Sequence, residues 1–343
     1  MGQLLPTAMA HEEHQCLKKT ILVLSISSLQ EYRHLGPSIE QATRNTESRL
    51  LIILVSPLFD PENGIDPIGS WKEMESFISF VYMRASTVAI ALDRVLMSID
   101  VVLHPGNGSL FSNIDGEHAT RWEGVYVREN DITTLEALPK WISTIPQLRL
   151  RAEGSSPYPS SPSSWENSHR RHGVVALGGT FDHLHAGHKI LLSMAAWITA
   201  KKIIVGVTDD TLLGKKSHRE VLESIGARQD AVRAFLQLFR PQIEAEVVAI
   251  SDVYGPTATD DDIQALVVSK ETISGGQSIA KLRDERGLPS LETFVINVIS
   301  DDGGGGLIGE EDAERLRTAK MSSTYIRRWI ATQTAPRPTP TYA

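Results

Sequence analysis

The chain has 343 residues, 41% hydrophobic and 22% charged, a balance ordinary for a globular protein of about two domains. Its formal charge of −8 argues against general affinity for nucleic acid or anionic membrane, so an anionic ligand must be held by a few placed side chains. A single cysteine, Cys16, excludes an internal disulfide framework, and no run of about 18 apolar residues exists to span a membrane.

The first residues narrowly miss a myristoylation signal, with Pro6 where Ser or Thr is wanted. They also lack the arginines of a transit peptide and the basic start of a secretory signal, so a cytoplasmic location is expected. Residues 20–26 and 49–55 are continuous apolar runs and predict buried strands. From Trp71 to about Asp100 the apolar spacing of Met74, Phe77, Ile78 and Val81, then Val88, Ile90, Ala91, Val95 and Leu96, predicts one or two helices. Residues 100–104 and 124–127 add short strands. Residues 1–150 are thus expected to form a small α/β domain of unassigned role, with His104 before Pro105-Gly106 as a turn residue rather than a catalyst.

Residues 151–171 change character. Gly154 to Ser164 is built from Ser and Pro, cannot form a packed core, and reads as a linker. A chain beginning near Arg170 is therefore expected to fold by itself.

Beyond the linker, residues 172–177 predict a buried strand and residues 189–198 a helix, joined by Gly178-Gly179-Thr180-Phe181-Asp182-His183-Leu184-His185-Ala186-Gly187-His188. Glycines at a strand-to-helix crossing let backbone N–H groups approach a ligand, and the helix N-terminus carries partial positive charge, so the turn suits a phosphate. His185 and His188, three apart at the helix start, place two imidazole donors on that side. A metal cluster of His183, His185 and His188 is the alternative, disfavoured because no Cys or carboxylate partner stands at matching spacing. Strands at 202–207, 246–250, 265–269 and 293–299, with a helix at 227–239, imply right-handed crossovers and a doubly wound parallel sheet whose ligands sit at the carboxyl ends of its strands. Residues 301–306 are expected to be mobile, 307–318 to form a short helix, and Ser322 or Ser323 to cap a closing helix before a flexible tail at 334–343. Gly214-Lys215-Lys216-Ser217 is no P-loop: Asp209 stands at its first glycine position and Lys216 at its Ser/Thr position.

Thr180-Phe181-Asp182 followed by His185-Ala186-Gly187-His188 resembles the signature of the HxGH nucleotidyltransferases, and within them eukaryotic, fungal-type phosphopantetheine adenylyltransferase. Lys320-Met321-Ser322-Ser323-Thr324 resembles the superfamily's second signature of KMSKS or ISSS type, with Ser323 where KMSKS has its second lysine. Residues 252–260 and 268–276 are similar to the same family, so the likeness runs from about Gly173 to Gln333. The resemblance implies a Rossmann-like nucleotidyltransferase domain over 172–333 and adenylyl transfer from ATP, with Mg²⁺, to 4′-phosphopantetheine. It implies that Gly179, Thr180, Phe181, His185, His188, Lys270, Ser322, Ser323, Thr324 and Arg327 face ATP, with His188 on the α-phosphate. Lys215, or Lys216 as the alternate, bridges the two substrates, Thr180 touches the acceptor phosphate, and Lys320 and Arg327 are both candidates for the β and γ phosphates. No resident metal is expected. Alternatives are another acceptor on the same fold, such as nicotinamide mononucleotide or choline phosphate, or a scaffold whose residues 1–150 gather other coenzyme A-synthesising enzymes. With no P-loop in sight, dephospho-coenzyme A is the expected end product.

Overall fold

The computed structural model describes residues 16–106, 122–129, 131, 135, 138–150, 170–296 and 322–334. The first half contains strand β1 (Leu17–Ser25), helix α1 (Gly36–Arg44), strand β2 (Thr46–Val55), helix α2 (Trp71–Ala91), strands β3 (Ser98–His104) and β4 (Gly124–Arg128), the short helix α3 (Lys140–Ser143) and strand β5 (Gln147–Leu150). The second half contains strand β6 (His172–Gly179), helix α4 (Ala186–Ile198), strand β7 (Thr199–Thr208), helix α5 (Ile225–Phe239), strands β8 (Glu244–Ile250) and β9 (Ala265–Ser269), helix α6 (Ile273–Glu285), strand β10 (Glu292–Ile296) and helix α7 (Ser323–Thr334).

Each half builds a five-stranded sheet, in the orders β3-β2-β1-β4-β5 and β10-β9-β6-β7-β8, with every pairing parallel. The central strands are continuous apolar runs because both of their faces are covered, which is what parallel sheets require. Ile21 to Leu24 and Ile203 to Val205 are accordingly almost wholly out of water.

The apolar stretch from Trp71 makes one helix, and Asp93 in the left-handed region (φ 56°) ends it. Val95 is then buried and Leu96 exposed in the turn before β3. The strand expected at 172–177 runs on through Gly178 and Gly179, which pair with Gly206 and Val207. The strand expected over 293–299 is described only to Ile296, and the helix expected at 307–318 and most of the linker lie outside the described residues. Helix α1, helix α3 and strand β5 had no expectation: their apolar patterns are too short to stand out.

The two sheets share one core. Helices α2 and α4 lie between them, and a single apolar cluster runs from Leu22 and Phe77 to Leu192, Trp197 and Phe294. Trp71 tilts against Phe294 at 4.8 Å between ring centres, and Phe59 meets Trp197 edge-on at 6.2 Å. Polar ties cross the same boundary: Arg170 is bonded to Asp66 at 3.1 Å, and Arg171 donates to the Pro61 carbonyl at 2.9 Å. No helix among the described residues is long and apolar enough to cross a membrane.

Candidate active site

The turn between β6 and α4 is built around Asp182. A Cβ at Gly179 would lie 3.2 Å from the Phe181 ring, so glycine there lets Phe181 fold back beneath the turn, where it is fully buried. Phe181 (φ 52°) and His183 (φ 45°) both occupy the left-handed region, at a cost of about 1–3 kcal/mol each. The surroundings hold them there. The His183 N–H donates to Glu223 Oε2 at 2.6 Å, and its ring Nε2 donates to the Val221 carbonyl at 2.8 Å.

Between them Asp182 is 0% exposed. Its Oδ1 accepts from the Glu223 N–H at 3.0 Å and its Oδ2 from the Arg327 guanidinium at 2.5 Å. Arg327, 1% exposed, also donates to the Ser217 carbonyl at 2.9 Å and to Thr324 Oγ1 at 3.2 Å. One buried ion pair thus joins the glycine-rich turn, the loop after β7 and the head of α7. Arg228, fully buried on α5, adds a second clasp by donating to the carbonyls of Thr180 at 2.7 Å, Thr208 at 2.9 Å and Glu223 at 3.1 Å, and it pairs with the Asp210 carboxylate.

His185 is the N-cap of α4, and its Nδ1 accepts from the Gly187 N–H at 3.2 Å. Burial, aided by the charges of Lys189 and His183, lowers its pKa to about 3, so the ring is neutral and its proton sits on Nε2. That atom lies 3.3 Å from Ser323 Oγ, which in turn donates to the Asp182 carbonyl at 2.9 Å. His188 stacks on His185 with ring centres 3.9 Å apart and leans on Phe181 at 5.3 Å. Its Nδ1 is buried without a hydrogen-bond partner among the described residues, and burial, together with the charges of His185 and Lys216, holds its pKa well below the usual value. The turn therefore presents two neutral imidazoles beside a helix N-terminus, and both gain basicity when a polyanion arrives.

Of the two expected lysines, both exposed, Lys216 is the one whose charge reaches His188. Ser322, not Ser323, caps α7, accepting from the Tyr325 N–H at 3.2 Å. Ser323 faces His185 instead, and Thr324 is exposed beside Arg327. Lys270 begins a one-turn 3-10 helix at the carboxyl end of β9 and is exposed. The Phe181 ring points into the interior and the Arg327 guanidinium is taken up by protein partners, so neither presents its side chain outward. Lys320 and Met321 lie outside the described residues. Asp182, His183 and Glu223 bring possible metal-ligand atoms within 4.8 Å of one another, but each of the three is already engaged in the hydrogen bonds given above.

Residues 176–329 match the cytidylyltransferase-like family. An uncharacterised protein of Schizosaccharomyces pombe is 33% identical over 322 residues, covering 91% of this chain and 97% of its own. A phosphopantetheine adenylyltransferase of Methanopyrus kandleri is 38% identical, covering 38% of this chain and 82% of its own. The chain belongs to the phosphopantetheine adenylyltransferase family. The family's Saccharomyces cerevisiae enzyme is 43% identical over 167 residues, covering 49% of this chain, which spans 52% of that enzyme. Matches to the named adenylyltransferases cover half of the chain or less, whereas the S. pombe relative covers both sheets.

Three residues central to the geometry of this site carry no assigned role in the sequence reading: Asp182, Glu223 and Arg228. Asp182 sits inside the motif, and its burial beside Arg327 was not legible because 145 residues separate the partners. Arg228 stands on α5 like any surface arginine, and only the fold reveals that it reads three carbonyls.

Proposed function

We propose that the chain transfers the adenylyl group of ATP to 4′-phosphopantetheine, giving dephospho-coenzyme A and pyrophosphate. The observation that carries this is the junction of the two signatures, with Ser323 of the second against His185 of the first and the Asp182–Arg327 pair beneath them. Two stretches far apart in sequence thereby face one space at the carboxyl edge of the sheet, where ligands of doubly wound folds bind.

The chemistry follows from charge. A phosphate monoester is an ionised nucleophile at neutral pH, so its oxygen attacks the α-phosphorus of ATP while the bond to pyrophosphate breaks. Neither a general base nor a covalent intermediate is needed. What is needed is in-line placement of two anions and stabilisation of the charge that develops. His188 donates to the α-phosphate oxygen. His185, the head of α4 and backbone N–H groups near Gly179 and Phe181 hold the neighbouring phosphates. Thr180 faces the acceptor phosphate. Lys216 bridges the two substrates in preference to Lys215, because its charge is already felt at His188. Ser322, Ser323, Thr324 and Lys270 line the rest of the nucleotide site. Arg327 is assigned to holding the two signatures together, since Asp182, Ser217 and Thr324 take up its donors. Mg²⁺ would be carried by the triphosphate of ATP and would supply charge neutralisation there, and Asp182, already paired with Arg327, is not assigned to hold it. Residues 172–333 form the catalytic unit, and the first sheet supports it.

The test is pyrophosphate release from MgATP, assayed separately with 4′-phosphopantetheine, nicotinamide mononucleotide and choline phosphate. Release with the first alone is expected. Release only with another acceptor keeps the site and overturns the substrate.

A further inference from the structure

Lys189 directly follows His188 on the first turn of α4, where a cation opposes the helix dipole. Its side chain is only 7% exposed, and its ammonium reaches back into the first sheet. There it donates to Asp100 Oδ1 at 2.7 Å and to the Ile99 carbonyl at 2.8 Å, both on β3, and lies over the Phe235 ring of α5 at 5.9 Å. Asp100 is held in turn by Arg49 at 3.3 Å and by Ser98 at 3.3 Å. Burial would raise the Asp100 carboxyl, but the Lys189 and Arg49 charges outweigh it and hold the group below its usual value, so the pair is ionic.

A buried ion pair adds little stability over a well-packed apolar pair, and its best-attested use is to fix register. Two directional bonds from one ammonium fix the rotation of α4 about its axis. The adjacent His188 depends on that rotation: its ring rests on His185 and Phe181, and among the described residues no hydrogen bond holds its Nδ1. A helix that turns slightly carries the ring with it, and a misplacement of about 1 Å at a reacting centre costs on the order of 10²-fold in rate. The first half of the chain also ties α7, since Asp93, just beyond α2, accepts from Trp329 of α7 at 2.8 Å.

We infer that Asp100, a residue of the first sheet, is a positioning residue for the reaction of the second, acting through Lys189 to set the His188 ring. The inference rests on the adenylyl-transfer reading and gives residues 1–150 a part in it. A double-mutant cycle in the full chain tests it. Asp100→Ala should lower kcat about 10- to 100-fold while the KM for ATP moves less than about 3-fold, and Asp100→Asn, which keeps an acceptor for Lys189, should recover most of the rate. In a His188→Ala background, Asp100→Ala should add less than about 2-fold, because the ring it positions is gone. Independent losses that multiply in the double variant would overturn the inference, as would a folded Asp100→Ala protein with unchanged kcat. If Asp100→Ala does not fold, the same cycle is run with Asp100→Asn, for which a smaller loss of about 3-fold is expected, vanishing without His188. A second readout needs no substrate: the His188 imidazole resonance, identified by its disappearance in His188→Ala, should shift in the Asp100 variant. An unmoved resonance would contradict the inference even if no acceptor supported pyrophosphate release, so the two readings fail separately.

Discussion

The two sheets have the same strand order, and the residues proposed to hold phosphate all belong with the second. Both place their first strand at the centre, between their second and fourth, which opens a crevice at the carboxyl end of β1 in one and of β6 in the other. Over β1 the crevice is closed by protein. Arg128, at the end of β4, donates to Asp131 at 2.7 Å and to the Ser25 carbonyl at 3.4 Å, and the Ser25 hydroxyl bonds the same carboxylate. Over β6 the acid of the turn, Asp182, is drawn beneath it and paired with Arg327 from a distant helix. This leaves the stacked imidazoles of His185 and His188 at the N-terminus of α4. Topology supplies the crevice; the residues at the carboxyl ends of its central strands decide whether it is filled from within or left for a ligand.

The sharpest way to break this comparison is His188→Ala, expected to lower kcat by on the order of 10²- to 10³-fold with little change in KM, measured by steady-state pyrophosphate release. Loss of affinity without loss of kcat would remove His188 from the transition state. Next come the two buried pairs. Arg327→Ala and Arg128→Ala each strand a buried carboxylate and should each cost about 3–5 kcal/mol in denaturant unfolding. Only Arg327→Ala should also slow adenylyl transfer by about 10-fold or more in the protein that remains folded. Equal activity losses would mean that the first crevice takes part as well.

The lysines of the loop after β7 give a smaller effect. Lys216→Ala should reduce kcat/KM about 10-fold and Lys215→Ala less than about 3-fold, by the same assay. The reverse order would transfer the bridging role to Lys215.

Smallest is a pH effect common to both sheets. Burial lowers the pKa of His104, at the end of β3, to about 4, as it lowers that of His185 to about 3. The unfolded chain therefore binds protons near pH 6.5 that the folded chain refuses. Stability is complete above that pH and falls as pH drops toward 4, by about 1.4 kcal/mol per unit for each such histidine. Thermal melts between pH 7 and pH 5 should follow this slope, and His104→Asn should flatten it.

Much of this was legible in the sequence for a physical reason: buried parallel strands are continuous apolar runs, and the turn from Gly178 to His188 is local, so eleven adjacent residues carry its chemistry. What was not legible is long-range. Lys189 reads as one polar residue on an apolar helix, and only the packing of α4 against β3 turns it into a tie to Asp100. The serine/proline stretch suggested separable halves, yet Phe59, Trp71, Trp197 and Phe294 meet across the boundary in one core. A composition change in the sequence does not say whether the units on either side of it need each other.

The central claim is that only the second crevice receives the triphosphate. Amide hydrogen exchange of the full chain with and without MgATP tests it most directly. Protection should rise at residues 179–188 and 322–327 and stay unchanged at residues 25–32 and 128–131. Protection at the carboxyl edge of the first sheet, with none at the turn after β6, would contradict the account.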